Sequence, residues 1–343
     1  MTALTRAARP GSEGEARLRP LPWRRMAGVT WRQHRIALAG VAALLGALAV
    51  YLWLTGLQVH HAYAAAAACH PAGSPACEGL LSAAHRTDAT AHEVAALLQA
   101  VPVLIGAFAG APVLARELET GTFRYAWTQG LGRWRWTVAK LVALAVTVAA
   151  AAGAFGVLFS WYFSPIVASG DESPFLSTVF DLSGVALAAW TLAAFAIGAL
   201  AGMLIRRVVP AIAATLAAWS GLAITAAMVL RQHYMTPLVS SHPSLQDSAW
   251  IISQWYTQGG KPVSQSVISQ VLQGDPLQHV GPNDVRSAID PVQYLAQHGY
   301  TSWVSYQPTS RFWTFQWIEG GWLLALSALL IAAAIWLVRH RAA

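Results

Sequence analysis

The chain has 343 residues, of which 56% are hydrophobic and 11% are charged, and its mean hydropathy is +0.46. Soluble domains carry about 25% charged residues, so the composition excludes an ordinary soluble enzyme. It also excludes a disordered chain, which needs the opposite balance of charge and hydrophobicity. The formal net charge of +7 is compatible with nucleic-acid binding only if the basic residues form one surface.

Six apolar stretches are long enough to cross about 30 Å of hydrocarbon as helices. The predicted spans are residues 36–57, 97–115, 138–160, 182–205, 209–230 and 319–338. Helices are expected because an open sheet leaves backbone groups unpaired in lipid. Spans four and five are separated by Arg206 and Arg207, with Pro210 after them, which predicts a tight hairpin at a membrane face. The predicted fold class is an all-α polytopic membrane protein.

Basic residues predict the orientation of the spans. They concentrate in the segment before span one, in the 116–137 loop, at the hairpin between spans four and five and in the 339–343 tail. These segments lie on one side of a six-span chain, so that side and both termini are predicted to be cytoplasmic. A loop at 58–96 and a large insertion at 231–318 are then external. The positive charge is an orientation signal, and no nucleic-acid partner is expected.

The chain before the first span divides into two parts. Residues 1–22 contain three prolines and two glycines and are expected to be disordered. Residues 23–35 are basic, with apolar side chains at Met26 and Val29, and predict an interfacial helix in the lipid headgroup plane. A charged anchor that only sets the topology is the alternative.

The interiors of the predicted spans contain almost no ionisable residue, and Lys140, Asp181 and Glu319 stand at span edges. Ion-coupled transporters need charges or broken helices at mid-membrane, so any transport is expected to be powered from outside the spans. Residues 259–262, Gly-Gly-Lys-Pro, lack the first glycine and the final Ser or Thr of a phosphate-binding loop. The chain is therefore expected to bind no nucleotide.

Both cysteines, Cys69 and Cys77, lie in the predicted external loop, where oxidation is permitted. We predict that they form a disulfide around a small turn that contains proline and glycine. The histidines of the same loop lack the spacing of metal-ligand pairs, so no metal site is expected.

Two helices carry glycines four residues apart, a spacing that lets helix backbones approach closely. They are Gly106 and Gly110 in span two and Gly198 and Gly202 in span four. The same spacing arises by chance in a chain with 27 glycines. The pattern predicts helix packing and carries no functional assignment by itself.

The loop between spans two and three is the most informative stretch. Span two leads into an acidic turn with Glu117 and Glu119, Gly121 is expected to end the helix, and Thr122 can cap a short second one. That second helix has an unusual number of aromatic residues, namely Phe123, Tyr125 and Trp127. Exposed aromatics beside charges are typical of a protein interface, and a loop that lies on lipid is an equal alternative.

Residues 115–129 read Ala-Arg-Glu-Leu-Glu-Thr-Gly-Thr-Phe-Arg-Tyr-Ala-Trp-Thr-Gln, and residues 31–35 read Trp-Arg-Gln-His-Arg. These motifs, with six spans, resemble the type-2 ABC exporter permeases and more narrowly their actinobacterial branch. The resemblance implies a multi-pass subunit of the bacterial plasma membrane that works as a dimer with a second copy or a paralogue. It also implies a separate cytosolic ATP-binding-cassette ATPase, which would bind ATP and Mg. Spans two and five would line the route.

The resemblance also assigns roles to residues of the two motifs. The loop residues that would couple the chain to the ATPase are Glu117, Glu119, Gly121, Thr122, Phe123, Arg124 and Trp127. The residues of the interfacial elbow helix would be Trp31, Arg32 and Arg35. The 231–318 insertion is far larger than the elements that many family members carry before the last span.

The sequence predicts no catalytic residue in this chain. The external carboxylates are dispersed and no Gly-x-Ser-x-Gly motif occurs, which disfavours a membrane-embedded enzyme. A route without fixed charges suits an apolar or amphipathic substrate. A non-transporting sensor or immunity protein that presents the 231–318 insertion is the alternative function.

Overall fold

The structure is a computed structural model that describes residues 23–71, 74–121, 133–170, 172–241, 248–273 and 291–341. The chain divides into two compact units, residues 1–44 and 45–343. In the first unit the described part is helical and belongs to helix α1 (Trp23–Ala67). The leader predicted at residues 1–22 lies outside the described residues.

Five helical runs of the described chain are long and apolar enough to cross a membrane. They are Pro75–Thr120, Thr137–Ser169, Ala186–Ile205, Val208–His233 and Thr309–His340. They correspond to predicted spans two to six, and they are the helices of a polytopic α-helical membrane protein. The predicted first span, residues 36–57, falls within α1 and is not among the five, so the six-span topology stays a prediction.

The helices of the second unit follow one another along the chain. After α1 they are α2 (Pro75–Leu98), α3 (Ala100–Ile105), α4 (Ala111–Thr120), α5 (Arg133–Ser169), α6 (Ser177–Phe180), α7 (Ala186–Ile205), α8 (Val208–Thr225), α9 (Gln265–Gln273), α10 (Pro291–Gln297) and α11 (Phe312–Arg341). The last helix begins at Phe312 and contains the predicted sixth span, residues 319–338. Hydropathy marks only the apolar part of a helix, whereas the backbone hydrogen bonds continue beyond it.

Span two belongs to a helical run that is much longer than the predicted 97–115. It begins at Pro75, which suits a first turn, and the Ser74 hydroxyl caps it by accepting from the Cys77 N–H at 3.3 Å. The backbone takes a π-helical turn at Gly106–Gly110. The run ends where Gly121 adopts the left-handed conformation at φ 69°, which glycine tolerates because it has no Cβ.

Helix α7 is the centre of the helix bundle. It contacts α5, α8, α11 and the α3–α4 run, and it is apolar all round with many alanines, as is typical of a helix that is mostly buried. Arg206 ends it in the left-handed region at φ 59°, and Arg207 is extended, so the chain turns directly into α8. The predicted hairpin between spans four and five therefore stands at these two arginines.

The predicted insertion contains a sheet, which corrects the expectation of an all-α chain. The strands are β1 (Leu238–Ser240), β2 (Trp250–Gln258), β3 (Lys261–Val263) and β4 (Tyr300–Gln307). They form an antiparallel sheet in the order β1-β4-β2-β3. The two long strands are rich in aromatic and β-branched residues, which favour strands, and Gly259 and Gly260 turn at positive φ between β2 and β3. Helices α9 and α10 pack on one face, where Tyr256, Ile268 and Leu295 form a small core.

Candidate functional site

The acidic turn at the end of α4 is held at one end of the bundle, which we call the Lys140 end and which comprises the last turn of α4 and the first turns of α5 and α8. Lys140 is 4% exposed, and its Nζ donates to Glu117 Oε1 at 2.6 Å and to the Val113 carbonyl oxygen at 3.1 Å. A buried ammonium group needs such partners because its desolvation is costly. This pair ties α4 to α5.

Glu119 makes the second contact of the turn. Its Oε2 accepts a hydrogen bond from the Val208 N–H at 3.0 Å. Val208 is the first residue of α8, where backbone N–H groups lack helical partners and the helix dipole is positive. A carboxylate at this position is stabilising by about 0.3–1 kcal/mol, and it ties α4 to α8.

Of the predicted coupling residues that remain, Gly121 is the one that the structure describes. Gly121 ends α4, and the next described residue is Arg133, which begins α5. The other predicted coupling residues lie outside the described residues; these are Thr122, Phe123, Arg124 and Trp127. The residues predicted for the elbow helix lie on α1; these are Trp31, Arg32 and Arg35.

The two glycine motifs that the sequence singled out separately lie against each other. A Cβ added at Gly106 would come within 2.6 Å of the Ala194 carbonyl oxygen, and one at Gly110 within 2.6 Å of the Phe195 carbonyl oxygen. A Cβ at Gly198 would collide with the Gly106 carbonyl oxygen, and one at Gly202 with that of Ala111. The backbones of span two and α7 are therefore in direct contact, which any side chain would prevent.

The predicted disulfide is confirmed. Cys69 and Cys77 are bonded, with their Cα atoms 5.5 Å apart. This separation is in the usual range for a disulfide. The bond joins the chain just after α1 to the first turn of α2.

The opposite end of the bundle, which we call the Arg231 end, contains a buried group of charges. Arg231 is 1% exposed and Glu319 is not exposed at all. Arg231 donates from Nε to Glu319 Oε2 at 3.0 Å and from Nη2 to Glu319 Oε1 at 2.8 Å, and its Nη2 also donates to Asp181 Oδ1. The guanidinium lies over the Phe180 ring, with Cζ 4.1 Å from the ring centroid. We call Arg231, Asp181 and Glu319 the Arg231 cluster.

Neutral side chains complete the hydrogen bonds of this cluster. Trp190 Nε1 donates to Glu319 Oε1 at 2.9 Å, and Tyr234 Oη donates to Glu319 Oε2 at 3.2 Å. Arg231 Nη1 donates to Ser177 Oγ at 3.2 Å. Each side-chain nitrogen of Arg231 and each carboxylate oxygen of Glu319 thus has a partner, as buried polar groups require.

The environment shifts the pKa of two side chains at the Arg231 end. Burial raises the pKa of Asp181 to about 6, although Arg231 acts in the opposite direction and Glu319 adds to the rise. Burial also raises the pKa of Tyr234 above its usual range, and the nearby Glu319 carboxylate adds to it. Tyr234 is therefore a neutral hydrogen-bond donor at physiological pH.

Sequence reasoning missed this cluster. It assigned Arg231 to the external insertion and treated Asp181 and Glu319 as residues at span ends. The signal that could have found the cluster is a pair of opposite charges at matching depths, Arg231 at the end of span five and Glu319 in the first turns of the last helix. Two such charges at a membrane boundary have reason to pair, because each is costly to bury alone.

One cavity of about 530 Å³ lies beside α5 and the start of α11. Its lining is mainly apolar and includes Val157, Phe163, Val179, Phe312 and Trp313. None of the residues predicted for a functional role lines it. Among the described residues no three His, Cys, Asp or Glu side chains are grouped so that they could hold a metal ion.

Comparison with known proteins assigns the chain to a family. No curated protein and no solved structure matches it. A family model described as ABC-2 membrane transporter related matches residues 42–231, which is more than half of the chain. The match contains both contacts of the Lys140 end and the paired glycines, and it ends at Arg231. The chain therefore belongs to the ABC-2 membrane transporter-related family.

Proposed function

We propose that the chain is the permease subunit of an ATP-binding-cassette exporter of the bacterial plasma membrane. It moves an apolar or amphipathic substrate with energy from a separate cytosolic ATPase, which binds the ATP and Mg. Membership of the ABC-2 family supports a transport subunit that is not itself catalytic and supports this general kind of partner. The predicted topology, with the Lys140 end and both termini in the cytoplasm, puts the coupling loop on the side of the ATPase.

The observation that carries the proposal is the anchoring of the turn from which the loop leaves. Glu117 is tied to α5 through Lys140, and Glu119 is tied to the first residue of α8. A force on residues 122–132 is therefore transmitted to three helices at once. ATP-driven closure of the ATPases would push on this loop and shift the spans between two packings.

The close contact of span two with α7 supports the same mechanism. Because the backbones touch at Gly106, Gly110, Gly198 and Gly202, the two helices have no side-chain layer between them that could absorb a displacement. A push at the end of α4 then moves α7 together with span two. This rigidity is what a mechanical coupling needs.

Exposed apolar surface on spans two and five is available to a second subunit. Phe108 on span two is 66% exposed, and Val209 and Met228 on span five are 77% and 72% exposed. In a membrane such side chains contact lipid or another helix, since water is absent. We propose that part of this surface faces a second copy or a paralogue and that spans two and five line the route there.

The experiment is affinity purification of the full chain from its native membranes, with mass spectrometry to detect an ATP-binding-cassette ATPase. We expect such an ATPase to co-purify with the wild type and to be lost from Phe123→Ala and Trp127→Ala. We expect Glu119→Gln to retain the ATPase but to lower its stimulation by the permease, because the tie to α8 is weakened. Glu78→Gln, an exposed acid on α2, is the control. An ATPase that never co-purifies, or that stays bound to both aromatic variants, would contradict the proposal.

The sheet of the insertion favours the second candidate, a non-transporting sensor or immunity protein. The insertion has its own small core at Tyr256, Ile268 and Leu295, so it can present a folded surface without any transport. On this hypothesis no ATPase co-purifies, and the two functions are separated by the same experiment.

A further inference from the structure

Three segments of the chain that are far apart in sequence meet at the Arg231 cluster. Asp181 precedes α7, Arg231 lies at the end of the helical run of span five, and Glu319 lies in α11. The guanidinium of Arg231 is paired with both carboxylates. The cluster therefore joins the segment before α7, the end of span five and α11 directly.

The charges of the cluster do not balance. Among the described residues, one guanidinium meets two carboxylates, and the other titratable group that faces them is the neutral phenol of Tyr234. With both carboxylates ionised, the buried cluster carries one excess negative charge. Such a charge is costly in a site of low dielectric constant, and uptake of one proton removes it.

The two carboxylates of the cluster differ in burial and in the number of their hydrogen-bond donors. Glu319 is fully buried and accepts hydrogen bonds from Arg231, Trp190 and Tyr234. Asp181 is bonded to Arg231 Nη2, and its side chain is 18% exposed. Water can therefore reach Asp181, and it has fewer donors to hold it ionised.

We propose that the Arg231 cluster is a proton-operated latch. When the cluster takes up one proton at Asp181, the junction of the segment before α7, span five and α11 tightens, and when it loses the proton the junction loosens. The consequence for transport rests on the proposed function: on the predicted topology this junction is external, so an acidic exterior holds that face of the permease closed.

The direction of the effect follows from linkage. The pKa of Asp181 is raised to about 6 in the packed state, and it returns toward the ordinary value near 3.9 if the junction opens to water. The packed state therefore binds the proton more tightly, and it gains stability as the pH falls from 6 toward 4. Between pH 7.5 and pH 5 we expect opening of the junction to become about tenfold rarer.

The test is hydrogen–deuterium exchange of the full chain in lipid nanodiscs at pH 5 and pH 7.5. The readout is the exchange of residues 174–185, 226–236 and 312–320, relative to Asp181→Asn at the same pH, so that the intrinsic pH dependence of exchange cancels. We expect the wild type to match Asp181→Asn at pH 5 and to exchange about tenfold faster than this variant at pH 7.5. Glu78→Gln, which removes an exposed carboxylate, should behave as the wild type.

A second variant keeps the test decisive if Asp181→Asn disturbs the fold. Glu319→Gln leaves one guanidinium and one carboxylate, a balanced pair, and should remove the loosening at pH 7.5. If the ratio of wild-type exchange to the exchange of each variant is the same at pH 5 and at pH 7.5, the latch is refuted. The measurement needs no ATPase, so failure to find an ATPase would defeat the proposed function and leave this result unaffected.

Discussion

Individual charged side chains connect the helices of this protein. Lys140, Arg231 and Glu319 are 4%, 1% and 0% exposed, although the sequence places them near span ends. Each is paired with an opposite charge from another segment, as a buried charge must be to persist. The charges that the sequence places at the ends of the spans therefore connect one segment to another.

Lys140→Met tests the tie at the Lys140 end. The variant leaves the Val113 carbonyl oxygen and the Glu117 carboxylate without the ammonium that they share, so we expect a loss of about 1–3 kcal/mol in stability. Thermal unfolding in nanodiscs measures it. The double variant Lys140→Met with Glu117→Leu should recover part of the loss, because no unpaired carboxylate remains. An unchanged Tm in the single variant would show that the pair contributes nothing.

The paired glycines explain why α7 can be the central element. Glycines on the face of α7 that meets span two let the two backbones approach closely, and van der Waals packing contributes to helix association in lipid. Gly198 contacts the backbone of the π-helical turn at Gly106–Gly110, and Gly202 is as close to the Ala111 carbonyl oxygen. The helix of span two changes its hydrogen-bond pattern at the place where it touches α7.

Gly198→Ala tests the close contact between span two and α7. The added Cβ has no room, because it meets the backbone at Gly106, Gly110 and Ala111, so we expect a loss of about 1–3 kcal/mol in stability. Gly221→Ala on α8 is the control, since a Cβ there meets nothing within 4 Å. It should leave the stability unchanged or raise it by up to about 1 kcal/mol, because alanine favours a helix. Equal melting temperatures for the two variants would contradict the close contact.

Charged side chains connect the membrane helices at both the Lys140 end and the Arg231 end of the bundle. The sheet is a separate element inserted between span five and α11. The Lys140 end joins α4, α5 and α8, and the Arg231 end joins the segment before α7, span five and α11. The sheet lies in the chain between span five and α11, and its outer strand residue Leu238 pairs with Tyr306. The two ends of the insertion are therefore adjacent in space.

Replacement of residues 239–305 by a short Gly-Ser linker should leave the membrane helices folded. The linker has only to connect Leu238 with Tyr306, which pair on neighbouring strands. The family match at 42–231 does not include the sheet. We expect a monodisperse helical protein of lower stability, because Trp250, which stacks on Phe175 with ring centroids 5.7 Å apart, is lost. Size-exclusion chromatography and circular dichroism check it. Aggregation of the shortened chain would show that the helices depend on the sheet.

Local patterns in the sequence predicted much of the fold. Hydropathy located the five spans, the arginines located the hairpin before α8, and Gly121 marked the end of α4. The disulfide was predictable because both cysteines of the chain lie in one short segment. The strands at 250–258 and 300–307 were not recognised, because their partners are over 40 residues apart and their alternation is weak.

The sequence by itself determined the class of the protein, the position of its apolar helices and the family motif, because these depend on composition and on neighbouring residues. Only the tertiary structure decided that Gly106 and Gly198 belong to one contact and that Arg231 is buried between Asp181 and Glu319. Hydropathy and residue spacing indicate the secondary structure that a segment favours by itself. Which segments meet, and which charges then have to pair, depends on packing between residues that the chain separates widely.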